Sequence, residues 1–324
     1  MSVSKEDVVW CYQNLLGRDP ESSEAVDVHL KTWPNFKQMI LSFIASSEFL
    51  APRPNVSLPV VSPVMSLLPP VLPKLEIDVN ASSRELGKCA AKIKAAWEHM
   101  GDEKAHFSVL SNDDYMPDKL DDSIDFFWRS GEIEAAQAIR ALDLYGSGNL
   151  AKKVCVEYGC GVGRVTVNLA KHFKQVHAYD ISRNHLEHAL ARAKEVAANN
   201  IEFHECANDF RVALERCDFF YSVIVLQHNP PPVIMELIRI ALTALKPGGI
   251  AMFQVPTHIN DYRFDLKVWL ATDHAPDMQM HCVPQDAVLD LITKTNCCLL
   301  GLREDGCTGA PDKIISNTFF CQKR

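Results

Sequence analysis

The chain has 324 residues, 47% of them apolar, enough to bury a large core with room for one large domain and a small one. Its formal charge of -8 provides no general basic footprint for nucleic acid or an anionic membrane surface. Eleven cysteines form no C-x-x-C pair, and Cys155, Cys206, Cys297 and Cys298 fall in apolar runs. They read as reduced, buried thiols of a cytoplasmic protein, not as a secreted disulfide framework.

Near the start, Lys5, Glu6 and Asp7 stand where a signal peptide needs an apolar core, and no proline-free apolar stretch is long enough to cross a bilayer. Neither export nor a membrane span is expected. Apolar residues Val8, Val9, Tyr12, Leu15 and Leu16 recur at helical spacing and predict a helix over 5–16, stopped by Gly17. Further helices are predicted over 24–31 and 36–44, giving a small all-α domain over residues 1–50. From 51 to 74 the composition turns to proline, with Pro52, Pro54, Pro59, Pro63, Pro69, Pro70 and Pro73. No helix persists through that density, so an extended linker is expected there.

Residues 75–145 read as a helical lead-in and lid, with one helix over 84–99 and another over 132–145. Between them run Asp113, Asp114, Asp118, Asp121, Asp122 and Asp125. Their spacing lacks the D-x-D-x-D-G loop of a calcium site, and solvated loop and helix caps are the expectation.

Val154-Cys-Val-Glu-Tyr-Gly-Cys-Gly-Val-Gly-Arg-Val165 then reads as a buried strand, a glycine turn and a helix start over 164–172. A dinucleotide fingerprint would need its third glycine at position 164, where Arg164 stands; the third is instead Gly163. With Glu157 two residues ahead of Gly159, the pattern is E-x-G-x-G-x-G. It resembles the first motif of class I S-adenosylmethionine-dependent methyltransferases. The Lys246-Pro247-Gly248-Gly249 turn is similar to a companion of that motif in the same superfamily, and the Leu226-Gln227-His228 strand end resembles methyltransferases acting on small molecules and sugars.

The resemblance implies S-adenosylmethionine as cofactor and a Rossmann-like α/β fold over 75–324, with a seven-stranded sheet and helices on both faces. Strands are expected over 154–158, 175–179, 201–205, 219–226, 250–255 and 298–303, with a seventh over 318–322 inserted antiparallel. It also implies that Glu157, Gly159, Cys160, Gly161 and Gly163 cradle the cofactor. Asp180, followed by Ile181, would accept from the ribose hydroxyls at the second strand's end. One of Asn208 and Asp209 would meet the adenine, Gln227 would line the cofactor, and Trp128 and Arg129, in an aromatic-x-Ser-Gly segment, would close over its methionine end.

A sulfonium methyl leaves by in-line displacement, so alignment and removal of the acceptor's proton are the protein's tasks. His228, after the central strand, is the first candidate base, and His258, near the fifth strand's end, the second; either could instead orient the cofactor or pack on it. Asn229-Pro230-Pro231 is superficially like the N-P-P-Y motif of DNA methyltransferases, but Pro232 occupies the place of the stacking aromatic. The His- and Asp-rich stretch over 257–281 offers no recognisable ligand spacing, and no metal is assigned.

Leu16-Gly17-Arg18-Asp19-Pro20 and Ser47-Glu48-Phe49 resemble a small bacterial helical domain often joined to glycan-acting proteins. The resemblance leaves open a plain packing module and docking toward a glycan or partner protein. Together these readings favour methylation of a small-molecule acceptor, a sugar or nucleotide-linked sugar, at oxygen. A protein or another metabolite as acceptor, and a non-catalytic cofactor-binding scaffold, are the alternatives.

Overall fold

The computed structural model describes residues 3–16, 18–44, 46, 75–206, 214–273, 278–310 and 312–324. The linker expected over 51–74 and the motif at 47–49 lie outside them. The chain divides into two compact units, Met1–Leu72 and Pro73–Arg324.

In the first unit, α1 (Lys5–Cys11) begins with a capping box, in which the Ser4 hydroxyl accepts from the Asp7 amide and the Asp7 carboxylate from the Ser4 amide. The chain continues past Cys11 as a wider π turn, Tyr12–Leu16. With α2 (Ser23–Thr32), capped by Ser22, and α3 (Phe36–Ile44), it closes a core of Val8, Cys11, Tyr12, Val26, Met39 and Phe43. The edge of Tyr12 meets Phe43 at 5.1 Å.

The second unit opens with β1 (Glu76–Ile77), α4 (Ser83–Val109) and α5 (Leu120–Leu144). It continues with β2 (Val154–Tyr158), α6 (Thr166–Leu169), β3 (Gln175–Asp180), α7 (Arg183–Glu195), β4 (Ile201–Glu205) and β5 (Cys217–Ser222). Then come α8 (Pro231–Ala244), β6 (Leu245–Ile259), β7 (Arg263–Phe264), α9 (Leu266–Ala271), α10 (Gln285–Lys294), β8 (Cys297–Asp305) and β9 (Ile314–Lys323). Seven strands form one sheet in the order β4-β3-β2-β5-β6-β9-β8. The first five are parallel, and β9 runs antiparallel between β6 and β8.

Alternation along the strands fills both faces of the sheet. Val156, Phe220, Ala251 and Phe253 join Cys89, Ile93, Ile234, Leu237 and Val288 from α4, α8 and α10 in one core. Cys155, Phe219, Tyr221 and Ile250 point the other way, onto Ala135, Ala138 and Leu142 of α5 and Leu169 of α6. Ala178, on that second side of β3, packs with Leu186 of α7.

Several elements differ from expectation. The helix expected over 132–145 starts twelve residues earlier, with Asp121 and Asp122 in its first turn, where carboxylates favour the helix dipole. The one expected over 84–99 runs to Val109, broken at Lys104 (φ -154°, ψ 56°). The helix expected over 164–172 holds only four α-helical residues. Around them the turns mix four-residue bonds, such as Leu169 N to Val165 O, with three-residue bonds, such as His172 N to Leu169 O. Lys246 to Gly249 lies within β6 as an excursion, across which the pairing jumps from Cys217↔Leu245 to Phe219↔Ile250. Within the His- and Asp-rich stretch over 257–281, β7 pairs with β1 and so ties that stretch to the lead-in.

Candidate active site

The glycine turn leaves β2 at the carboxyl edge of the sheet, where open α/β sheets bind ligands. Its shape is set by β3. The Gly159 and Cys160 amides both donate to the Tyr179 carbonyl, at 2.8 and 3.0 Å. One Asp180 carboxylate oxygen accepts from the Gly161 amide at 2.8 Å, and the other from the Ser182 amide at 2.9 Å. Asp180 therefore organises the turn as well as facing the space above it. Gly159 has φ +78°, and a Cβ there would lie 2.3 Å from a methyl of Val225. No other residue type fits both demands.

Above the turn lies a cavity with about 870 Å³ of space between atoms, its open mouth included. Tyr158 to Gly161, Asp180 and Ile181 form one side. Ile93, Trp97, Ser108 and Val109 of α4 form another, and Val223 to Val225 close it beyond β5. His185, at the start of α7, reaches it as well. Ser108 donates its hydroxyl proton to the Ala105 carbonyl, so the His185 Nε2–H donates to Ser108 Oγ, at 2.7 Å. The His185 Nδ1 lone pair is left without a protein partner, and burial keeps the ring's pKa below its ordinary value.

Buried charge forms the cavity's other end. Arg164 pairs with Glu134, donates to Ser130 Oγ at 3.1 Å, and is 5% exposed. Tyr221 donates to the same Glu134 carboxylate. Beside them Glu157 is 3% exposed, and its Oε2 has no hydrogen-bond partner in the protein. Burial pushes its pKa up to about 8, with Glu134 adding to the rise and Arg164 opposing it. An unpaired buried carboxylate oxygen calls for a cationic or donating ligand. The approach of α5 is possible because residue 131 is glycine: a Cβ there would stand 2.1 Å from the Arg164 carbonyl.

A second, smaller cavity of about 350 Å³ shares Ile93 and Trp97 with the first. His228, His281, Trp269, Met278 and Gln279 are on its walls. The Gln279 carbonyl can only accept, so His228 carries its proton on Nδ1 (3.3 Å) and offers Nε2 as an acceptor, which Gln227 meets at 3.3 Å. Gln227 in turn accepts from Gln254 at 3.0 Å, and Gln254 accepts from the Ile224 amide at 2.9 Å. This buried amide chain fixes the imidazole's direction. Burial brings the His228 pKa down to about 4 and that of His281, hydrogen-bonded to the Tyr262 hydroxyl at 2.6 Å, to about 3. Both rings are neutral at neutral pH. Trp97 meets His228 edge-on at 5.5 Å.

Of the residues singled out in the sequence, Glu157, Gly159, Cys160, Gly161, Asp180 and Ile181 line the large cavity. Gly163 packs on Ala189 of α7 instead, and Gln227 is buried in the amide chain. Trp128 lies outside both cavities, against Phe127, His106 and the Arg192 guanidinium, which stands 4.3 Å from its ring centre. Arg129, one position on, is exposed. His228 is in the small cavity, whereas His258 is buried on β6 near its pairing with β9 and lines neither. Asn208 and Asp209 lie outside the described residues. Trp97, Ser108, Glu134, Arg164, His185 and Tyr221 were not singled out as site residues. Only Arg164, next to the glycine run, and Glu134, one turn beyond the Ser130-Gly131 pair, carried a local signal.

Residues 155–249 match a family described as a methyltransferase domain. A curated relative, the ubiquinone biosynthesis O-methyltransferase of Serratia proteamaculans (strain 568), is 27% identical over 165 residues. That match covers 48% of this chain and 63% of the relative, so the chain spans less than two thirds of its length. Among solved structures, magnesium protoporphyrin IX methyltransferase from Synechocystis PCC 6803 with bound S-adenosylhomocysteine aligns over 73% of this chain and all of its own, at 14% identity and a TM-score of 0.51. Its complex with S-adenosylmethionine aligns over 73% of this chain and 97% of its own, with the same TM-score. The family match places a methyltransferase domain at residues 155–249, and the sheet order and glycine turn give the second unit the fold of the class I S-adenosylmethionine-dependent enzymes. S-adenosylmethionine is the cofactor of that class, and the polar groups around the cavity suit it. Asp180 and the turn would hold its nucleoside side, and the unpaired Glu157 oxygen and Arg164 could hold its amino-acid end.

Proposed function

We propose that the protein methylates a hydroxyl of a small, ring-bearing acceptor held in the cavity of Trp97, Trp269, His228 and His281. The observation that carries this reading is that wall of indoles and neutral imidazoles sharing Ile93 and Trp97 with the cofactor cavity. Indole faces favour a flat apolar surface, which both a sugar face and a phenolic ring present. Oxygen as the acceptor atom is supported by the curated relative, an O-methyltransferase. The bound cofactor supplies an electrophilic methyl on a sulfonium. His228 acts as the base: its ring is neutral at neutral pH and held by Gln279 and the Gln227–Gln254 pair, and Nε2 takes the proton once the acceptor hydroxyl displaces the Gln227 amide from that lone pair. Trp97 and Trp269 keep bulk water from the acceptor oxygen, and Glu157 and Arg164 orient the cofactor's amino-acid end.

Among the described residues no helix is long and apolar enough to cross a membrane. All eleven cysteines are free, nine of them buried, which supports a reducing, cytoplasmic setting. Nucleic acid is not among the partners in this reading. The sugar form of the reading rests on the Leu226-Gln227-His228 resemblance and on the motif in residues 16–20 and 47–49 of the first unit, to which we assign a docking role toward a glycan or partner protein. The test is turnover of S-adenosylmethionine, followed as S-adenosylhomocysteine release, with a panel of sugar nucleotides and catechols. Release that depends on one ring class fixes the acceptor. Release with protein side chains alone would overturn the reading.

A further inference from the structure

Away from both cavities, the in-register pairing of β3 with β4 sets His177 opposite Glu202 and Tyr179 opposite His204. Residues two apart on a strand share a face, so His177, Glu202 and His204 converge at the sheet's outer edge. We propose that these three side chains bind one divalent transition-metal ion of the zinc type.

His177 Nδ1 and His204 Nε2 are 3.0 Å apart. The Glu202 carboxylate reaches His177 Nδ1 at 3.4 Å and His204 Nε2 at 3.9 Å. All three donor atoms thus lie within 4.8 Å of one another. At a metal–nitrogen distance of about 2.1 Å, two nitrogens this far apart subtend roughly a right angle, and about 0.4 Å of spreading would reach the tetrahedral angle. The proton now shared between the two rings moves to the far nitrogen of the donating imidazole, freeing both lone pairs.

The scaffold is held in place before any ion arrives. The Tyr179 ring stacks on His204 with centres 4.5 Å apart and planes within 17°, and the Tyr179 hydroxyl accepts from the Glu215 amide. Glu202 is exposed, so water can complete the coordination. Two imidazoles with one carboxylate select zinc, nickel, cobalt or copper over magnesium and calcium, which favour oxygen ligands. An ion here would pin β4, the edge strand, to β3, the strand that ends in Asp180.

The test is calorimetric titration of the full chain, without a polyhistidine tag, with Zn²⁺ and separately with Mg²⁺. One Zn²⁺ per chain and no Mg²⁺ is the expected result. His177→Ala and His204→Ala should each weaken Zn²⁺ binding by at least about tenfold. His177→Gln should do the same while keeping a hydrogen-bonding group, and matching metal-free melting curves would show the fold intact. Cobalt substitution should give visible d–d bands without a sulfur-to-metal charge-transfer band. No Zn²⁺ binding by the wild type, unchanged binding by the histidine variants, or a thiolate band would each overturn the proposal.

Discussion

The two cavities that share Ile93 and Trp97 are built by different means. The large one is shaped by main chain: the glycine turn hangs from the Tyr179 carbonyl and the Asp180 carboxylate, and its charged end is a buried cluster of Glu134, Glu157, Arg164 and Tyr221. The small one is lined by residues of α4, the stretch after β5, α9 and residues 278–281, and holds neutral rings. Backbone fixes a site's shape with little regard to side chains, which suits a cofactor common to many enzymes. A site made of side chains from four segments changes with single substitutions, which suits an acceptor that differs between enzymes.

The strongest way to break the first cavity without touching the second is Gly159→Val. The left-handed φ and the overlap with Val225 should abolish S-adenosylhomocysteine binding in a calorimetric titration. Micromolar affinity in that variant would mean the turn is not where the cofactor sits. The converse variant is His228→Ala, expected to lower kcat by on the order of a hundredfold or more, with cofactor affinity within about twofold. A matching fall in affinity would turn His228 into a binding residue. Next comes Asp180→Ala, which removes an acceptor from two backbone amides and from the ligand. It should weaken cofactor binding by about 1.5–3 kcal/mol and also lower the melting temperature, while Asp180→Asn should restore part of both. Trp269→Ala sharpens the comparison most gently. The acceptor KM should rise by roughly threefold to tenfold with cofactor affinity unchanged.

Acid and base act on the two cavities in opposite directions. Glu157, raised to about 8 from an ordinary 4.5, binds more protons folded than unfolded between those values, so its contribution to stability declines as pH rises through that window. His228 and His281, lowered to about 4 and about 3 from 6.5, bind fewer protons folded, so their contribution grows as pH rises toward 6.5. Melting curves of Glu157→Gln and the wild type should therefore separate in favour of the variant between pH 5 and 8. Curves that keep a constant separation would mean that the Glu157 carboxyl titrates normally.

The glycine turn and Asp180 were legible because their chemistry is local: Glu157 to Gly163 is seven consecutive residues, and Asp180 follows at the end of the next strand. The seven strands and the antiparallel insertion of the last were expected from the resemblance that this motif carries, apart from details such as the excursion at Lys246–Gly249 within β6. The charged end of the cavity was not legible, because Glu134, Arg164 and Tyr221 meet only once α5 lies across β2 and β5. The aromatic-x-Ser-Gly segment drew attention to the right turn of α5, but helical geometry sets Ser130, Gly131 and Glu134 toward Arg164 and leaves Arg129 exposed. The early start of α5 was hidden because a run of aspartates reads equally as loop or as a helix's first turns. His177 and His204 are 27 residues apart, and only strand register brings them together.

Trp97 stands in the partition between the two cavities, with Ile93 one turn before it on α4. Ile93 and the Trp97 indole form that partition, so any turn of the ring would change the room in both chambers at once. A cofactor bound behind it limits the rotamers the ring can take, and those rotamers decide how much room an incoming acceptor finds. A preferred order of loading, with a lingering spent cofactor delaying the next acceptor, is the expected outcome. Product inhibition patterns, not affinities measured one ligand at a time, are where this single side chain would be heard.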